Sequence, residues 1–366
     1  MTHKLKVGVI TMHRVVNYGS FLQAYATQKV IESLGMLCEI IDYKFPNSLH
    51  RKKIDFKKIL SELPISRTQK MKRYFLKLLK KHLNLSNFFS DTNSIHSNPP
   101  LYDVYITGSD QTLNPKHTQN DSTFLLSFAP ENKTKIMFSA SFSENNLNVY
   151  IEKLFINNLN KYDAISLREP STYLEEKLKK RIEITLDPTL LIEKDTWVKN
   201  FPYIQKEKEP YILLYMLSYS FDPSPYIYNL LKYLQKKTEL KVLSLSNIPK
   251  KYDIKHKNLR GCSVNDFIGL FDKASYIITS SFHGTAFSLT FCKPLFSIIP
   301  DCKKDCRQVS LLNLLGCSNC AIQINTPFEK TNPFYDIKKM QDVLHQQREK
   351  SVQYLKNSIK EKICLS

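Results

Sequence analysis

The opening of the chain limits its fold most. Between Leu5 and Tyr43 an apolar run, a loop, a helical periodicity and a second apolar run follow one another. Leu5–Thr11 reads as a strand, and His13–Gly19 as the loop behind it. A helix starts near Ser20, with Phe21, Leu22, Ala24, Tyr25, Thr27, Gln28 and Ile31 on its periodic face, and stops at Leu34-Gly35. Cys38–Tyr43 is the next strand. A β-loop-α-β start calls for a Rossmann-like unit, a parallel sheet with helices on its faces. Its first loop, carrying Asn17 and Gly19, then faces the cleft at the strand ends. G-x-G-x-x-G is absent, so the loop is not assigned a dinucleotide.

The rhythm continues after an interruption. Asp103–Gly108 reads as a strand, and its loop, Gly108–Pro115, carries Ser109, Asp110 and Gln111 as hydroxyl-reading groups. Lys135–Ser141 and Ala164–Glu169 are further strands. The second ends at Arg168, just before Pro170 opens a helix. Arg168 there either binds an anion or pairs with Glu169. Later strands fall at Tyr211–Leu217, Lys241–Leu245, Tyr276–Thr279 and Leu295–Ile299, with helices between them, and 335–363 reads as one long helix. At 366 residues the chain exceeds one ordinary core. The expected division is a Rossmann-like domain over 1–195 with an insertion at 50–98, a second over 196–334, and a helix over 335–366 that crosses back onto the first.

Composition narrows the class. Apolar residues make up 42% and charged residues 24%, as in a soluble globular protein. The apolar run at the start is too short for a signal peptide, and none later reaches membrane-spanning length, so a cytoplasmic location is expected. Lys+Arg 53 against Asp+Glu 34 gives a net charge of +19. Arg51–Lys81 holds twelve basic residues opposed only by Asp55 and Glu62, over half of that excess. Met71, Tyr74, Phe75, Leu78, Leu79 and Leu83 recur there at helical spacing. A basic amphipathic segment over 51–85 either lies on an anionic membrane, which would be the inner face, or packs its apolar stripe on the protein. Nucleic acid is not expected, because no binding motif accompanies the charge.

Cys302, Cys306, Cys317 and Cys320 are spaced C-x3-C-x10-C-x2-C. A small metal site would use such thiols, but the apolar stretch 310–315 between the pairs reads as a helix and not a tight knuckle. Free thiols are expected, and no metal.

One stretch concentrates the chemistry. In Tyr276–Phe291 a four-residue strand, Tyr276–Thr279, is followed by Ser280, Ser281, Phe282, His283 and Gly284 and then by a helical pattern. Such a strand-turn-helix delivers Ser280, Ser281 and His283 to a strand's C-terminal edge. The helix N-terminus adds partial positive charge suited to an anion. His283 there acts in the site, or caps the helix or bonds within the core.

Together, Asn17–Ala24 (N-Y-G-S-F-L-Q-A), Gly108–Pro115 (G-S-D-Q-T-L-N-P), Ser166–Glu169 (S-L-R-E), Asp187–Leu191 (D-P-T-L-L) and Ser280–Gly284 (S-S-F-H-G) resemble the polysaccharide pyruvyl transferase family. The resemblance runs in order from about residue 7 to 316. It implies two Rossmann-like domains facing a cleft, similar to GT-B glycosyltransferases, with the site in that cleft. It also implies phosphoenolpyruvate as donor, a sugar diol as acceptor and no further cofactor, in the biosynthesis of a capsule or exopolysaccharide. Arg168 matches the family's phosphoenolpyruvate-binding arginine and His283 its motif histidine, expected as general acid and base. The family often has arginine two residues before that histidine, where this chain has Ser281. Arg307 or a lysine of the cleft wall is then expected to supply the missing anion contact. Asn17, Gly19, Ser109, Asp110 and Gln111 would line the acceptor side, and a polyprenyl-linked sugar acceptor would suit the basic segment. Two other activities fit the same plan: a glycosyltransferase using a nucleotide sugar, and an inactive member that binds glycan.

Overall fold

The computed structural model describes residues 4–44, 66–143, 147–218, 221–300 and 307–363. The chain divides into two compact units, Met1–Leu191 with Gln347–Ser366, and Ile192–Gln346. Each is built on a six-stranded sheet in which every pairing is parallel.

The first sheet comprises β1 (Lys6–Ile10), β2 (Leu37–Ile40), β3 (Val104–Thr107), β4 (Thr134–Ala140), β5 (Ala164–Leu167) and β6 (Glu183–Ile184), in the order β2-β1-β3-β4-β5-β6. Its inner strands are short and apolar because parallel strands are covered on both faces; all four residues of β3 are buried. The helix Tyr18–Ser33 runs between β1 and β2 and buries most of its length. The chain leaves β1, forms β2 on one side and returns with β3 on the other. The sheet's topological switch point therefore lies between β1 and β3.

The second sheet comprises β7 (Tyr211–Tyr215), β8 (Lys241–Ser244), β9 (His256–Asn258), β10 (Tyr276–Thr279), β11 (Leu295–Ile299) and β12 (Ala321–Gln323), in the order β12-β11-β10-β7-β8-β9. Here the switch point lies between β7 and β10. All five residues of β7 are buried. Trp197 is fully buried with its ring against Phe287, so the helix Lys194–Asn200 packs on the helix Phe282–Thr290.

The long helix Ile337–Ile363 belongs to the first unit from Gln347 onward. There Ser351 Oγ accepts from the Leu186 amide at 2.9 Å, and Arg348 Nε donates to the Leu190 carbonyl at 2.6 Å. The crossing-back that the sequence implied for this helix is present. Of the basic segment, Arg67–His82 is a helix capped by Ser66, whose hydroxyl accepts from the Gln69 amide; 51–65 lie outside the described residues. No helix among the described residues is long and apolar enough to cross a membrane.

Candidate functional site

In each unit the family-like motifs gather at the C-terminal strand ends, the edge at which open α/β sheets bind ligands; in the first unit they run from the switch point at β1 and β3 out to β5 and β6.

In the first unit four motifs close on one guanidinium. Arg168, whose side chain is 1% exposed, leaves the end of β5 and donates from Nη1 to Asp187 Oδ2 at 2.8 Å. Its Nη2 lies 3.6 Å from Asp110 Oδ1, and its Nε 3.7 Å from Glu169 Oε2. Each carboxylate is held in turn by short polar groups. Asp187 accepts from Ser109 Oγ at 2.7 Å and from Thr189 Oγ1 at 2.6 Å. Glu169 Oε1 accepts from Ser141 Oγ and from the Phe142 and Ser143 amides. Asp110 accepts from Ser20 Oγ at 2.9 Å, which ties the loop after β3 to the helix after β1. Its backbone is left-handed, with φ 76. That geometry costs a non-glycine residue energy and is held here by the surrounding bonds.

Arg168 thus makes the ion pair with Glu169 that its position allowed, and extends it to two aspartates. The surroundings of the guanidinium are acidic, with three carboxylates facing one cation. Ser109, Asp110 and Gln111 are all buried. The Ser109 hydroxyl is committed to Asp187, and Gln111 Oε1 accepts from Asn114 Nδ2 at 2.8 Å. Asn17 caps the helix Tyr18–Ser33, its side-chain oxygen accepting from the amides of Gly19 and Ser20.

A second cluster beside the same switch point carries no motif. His13 is fully buried, with Nε2 3.1 Å from Asp42 Oδ1 and Nδ1 3.1 Å from the Thr11 carbonyl. Arg14 grips Asp42 with both arms of its fork, at 2.6 and 2.7 Å. Burial alone would raise the Asp42 carboxyl, but the hydrogen bonds and charges of His13 and Arg14 outweigh it and hold the group below its ordinary range. Sequence reading passed over this cluster because Asp42 lies 28 positions from Arg14 and only strand pairing brings them together.

In the second unit β10 ends at Thr279, and the helix Phe282–Thr290 follows almost at once. Ser281 is the helix cap: its backbone is extended, and its hydroxyl accepts from the Gly284 amide at 3.3 Å. Ser280 clips β10 to the end of β7, its hydroxyl accepting from the Leu217 amide and donating to the Leu217 carbonyl. His283, 6% exposed, stands in the first helical turn with its ring edge-on to Phe282. The cap belongs to Ser281, so His283 is not needed for it. Ser281, where the resemblance leads one to expect an arginine, gives the turn a cap. Arg307 is buried at the start of the helix Arg307–Leu314. Beside it, Gln308 donates to Ser297 Oγ at 2.7 Å and to Thr285 Oγ1 at 3.3 Å.

Gly284 is explained by space. A Cβ there would lie 2.2 Å from Thr279 Oγ1 and 3.0 Å from the Tyr215 ring. Thr279 Oγ1 donates to the Tyr215 carbonyl at 2.6 Å and accepts from the Ser281 amide at 3.0 Å, so it cannot swing aside without losing both bonds. Gly284→Ala is expected to cost roughly 1–3 kcal/mol of stability, read as a lowered denaturation midpoint, because it overpacks a site that cannot relax.

Cys302 and Cys306 lie outside the described residues. Burial pushes the Cys317 and Cys320 thiols up to about 12, and they donate to the carbonyls of Leu315 and Pro333. Both act locally as buried hydrogen-bonding thiols.

Solved structures similar to this chain share its fold at low identity. One is a Listeria monocytogenes protein assigned as a UDP-N-acetylglucosamine 2-epimerase (12% identity, TM-score 0.51, 96% of this chain and 91% of that one). Another is the UDP-GlcNAc 2-epimerase of Methanocaldococcus jannaschii (13%, 0.50, 94% and 99%). No curated protein matches the chain. The profile of one family does, over residues 17–301, a span that takes in the Asn17 cap, the Arg168 network and the His283 turn. The chain belongs to the polysaccharide pyruvyl transferase family.

Proposed function

We propose that this protein transfers the enolpyruvyl unit of phosphoenolpyruvate to a sugar diol, forming a pyruvate ketal on a surface glycan. The observation that carries the reading is the position of His283: the family's motif histidine stands at the switch point of the second sheet, in the first turn of a helix that another residue caps. Ketal formation needs a proton at C3 of the enol, which leaves C2 electron-deficient. One sugar hydroxyl adds there and loses its proton, phosphate departs with cleavage of its bond to C2, and the second hydroxyl adds at C2 and loses its own proton to close the ring. Imidazole is the side chain suited to giving and taking those protons near neutral pH. The helix N-terminus beside it supplies partial positive charge to the departing phosphate. The chemistry requires no metal.

In this reading Arg168 acts by positioning. It holds Asp110, Glu169 and Asp187 in one network, and through Asp110 and Ser20 it fixes the loop after β3 against the helix after β1. The test is phosphate release from phosphoenolpyruvate across a panel of lipid-linked and aryl glycosides. Acceptor-dependent release is the expected result. Release of UDP or GDP from a nucleotide sugar, with no phosphate from phosphoenolpyruvate, would replace this reading by glycosyl transfer.

A further inference from the structure

The helix Arg67–His82 contains no acidic residue. One side is spent on the first unit: Phe75, Leu78 and Leu79 are buried, and the Phe75 ring lies 5.6 Å from that of Tyr18. His82 packs edge-on to Phe21 and Tyr25. The chain beyond it runs along the edge of β2, pairing at Leu85 with Ile40, so the helix is anchored at its end. At about 100° per residue, Lys70, Arg73, Lys77, Lys80 and Lys81 fall within a roughly 100° arc opposite the buried side. All five are exposed. Lys70, Lys77, Lys80 and Lys81 make no ion pair among the described residues. Leu76, 41% exposed, borders the same arc.

We infer that this outward face is a docking surface for an anionic lipid bilayer. Charge complementarity names the occupant. A straight row of mostly lysine cations matches a plane of phosphate headgroups, and an exposed leucine suits the headgroup boundary. Tyr74 borders the other edge of the arc, but its ring packs edge-on to Phe75, 5.7 Å away, so it is not an open platform for stacking a base. The buried apolar side sets the mode of binding. Phe75, Leu78 and Leu79 already pack on the first unit, so the helix docks through charge without inserting its hydrophobic stripe. Binding must then be strongly salt-dependent. The inference involves no substrate, so it stands or falls separately from the proposed reaction.

The experiment is sedimentation of the full chain with phosphatidylcholine vesicles and with vesicles containing phosphatidylglycerol. The second protein is the variant K70Q/R73Q/K77Q/K80Q/K81Q, its fold checked by circular dichroism and thermal melting. The wild type is expected to pellet only with the anionic vesicles and to be released by 0.5 M salt. The variant is expected to lose about a thousandfold or more in partition, at roughly fivefold for each of its five charges. Three results would overturn the inference: no pelleting of the wild type, pelleting that survives in the folded variant or in high salt, and binding to single-stranded RNA through these residues without vesicle binding.

Discussion

Arg168→Ala is expected to destabilise the first unit by about 3–5 kcal/mol, the usual cost of removing one partner from a buried ionic network. The side chain is 1% exposed and lies against three carboxylates, two of which, those of Asp187 and Glu169, are at most 2% exposed. Without the guanidinium, those carboxylates stay buried and lose the cation set against them at 2.8 and 3.7 Å. A folded domain has about 5–15 kcal/mol in all, so the loss is a large fraction of its stability. Urea denaturation should show a strongly lowered midpoint for the transition that reports the first sheet. Arg168→Lys keeps the charge but not the fork, and one ammonium cannot satisfy groups arranged around Nε, Nη1 and Nη2. It is expected to fall between wild type and alanine. An open anion-binding arginine behaves otherwise: alanine would leave the midpoint where it was and raise KM for phosphoenolpyruvate alone. That outcome would return Arg168 to the donor site.

The strands were legible because a parallel sheet covered on both faces demands uninterrupted apolar runs, and Val104–Thr107 and Tyr211–Tyr215 have nothing polar enough to be mistaken. Of the edge strands Leu37–Ile40 was legible, and three others were not. Glu183–Ile184, His256–Asn258 and Ala321–Gln323 are two or three residues long, too short for any periodicity, and exist because a neighbouring strand offers them a ladder. The helix Arg67–His82 was visible in the spacing of Phe75, Leu78 and Leu79, but which of its two faces would meet the protein needed the structure.

At the site, the motifs named the residues and not their partners. Ser20, Ser109, Asp110, Arg168, Glu169 and Asp187 each stand in a legible motif, yet their closure into one network depends on the order β1-β3-β4-β5, which no local signal encodes. Ser109 and Gln111 look like hydroxyl-reading groups in isolation and are held by Asp187 and Asn114 in the fold. The left-handed backbone of Asp110 is equally silent in sequence, since aspartate is not the residue that announces positive φ.

His283→Asn is expected to lower acceptor-dependent phosphate release by about 10²–10⁴-fold, the range for loss of a positioned acid–base group. Stability should change by less than about 1 kcal/mol, because asparagine keeps polarity at the position while the helix retains its Ser281 cap. These two readouts together separate the roles open to this histidine. A core hydrogen-bonding histidine would lose stability on substitution and lose activity only in proportion to the unfolded fraction. A proton-transferring histidine loses rate in a protein that melts normally. The expected fall is in kcat, since the enol must be protonated in the transition state whether or not the donor is bound tightly. A loss confined to KM would make His283 a binding group, and the proton would then have to come from elsewhere at the strand ends.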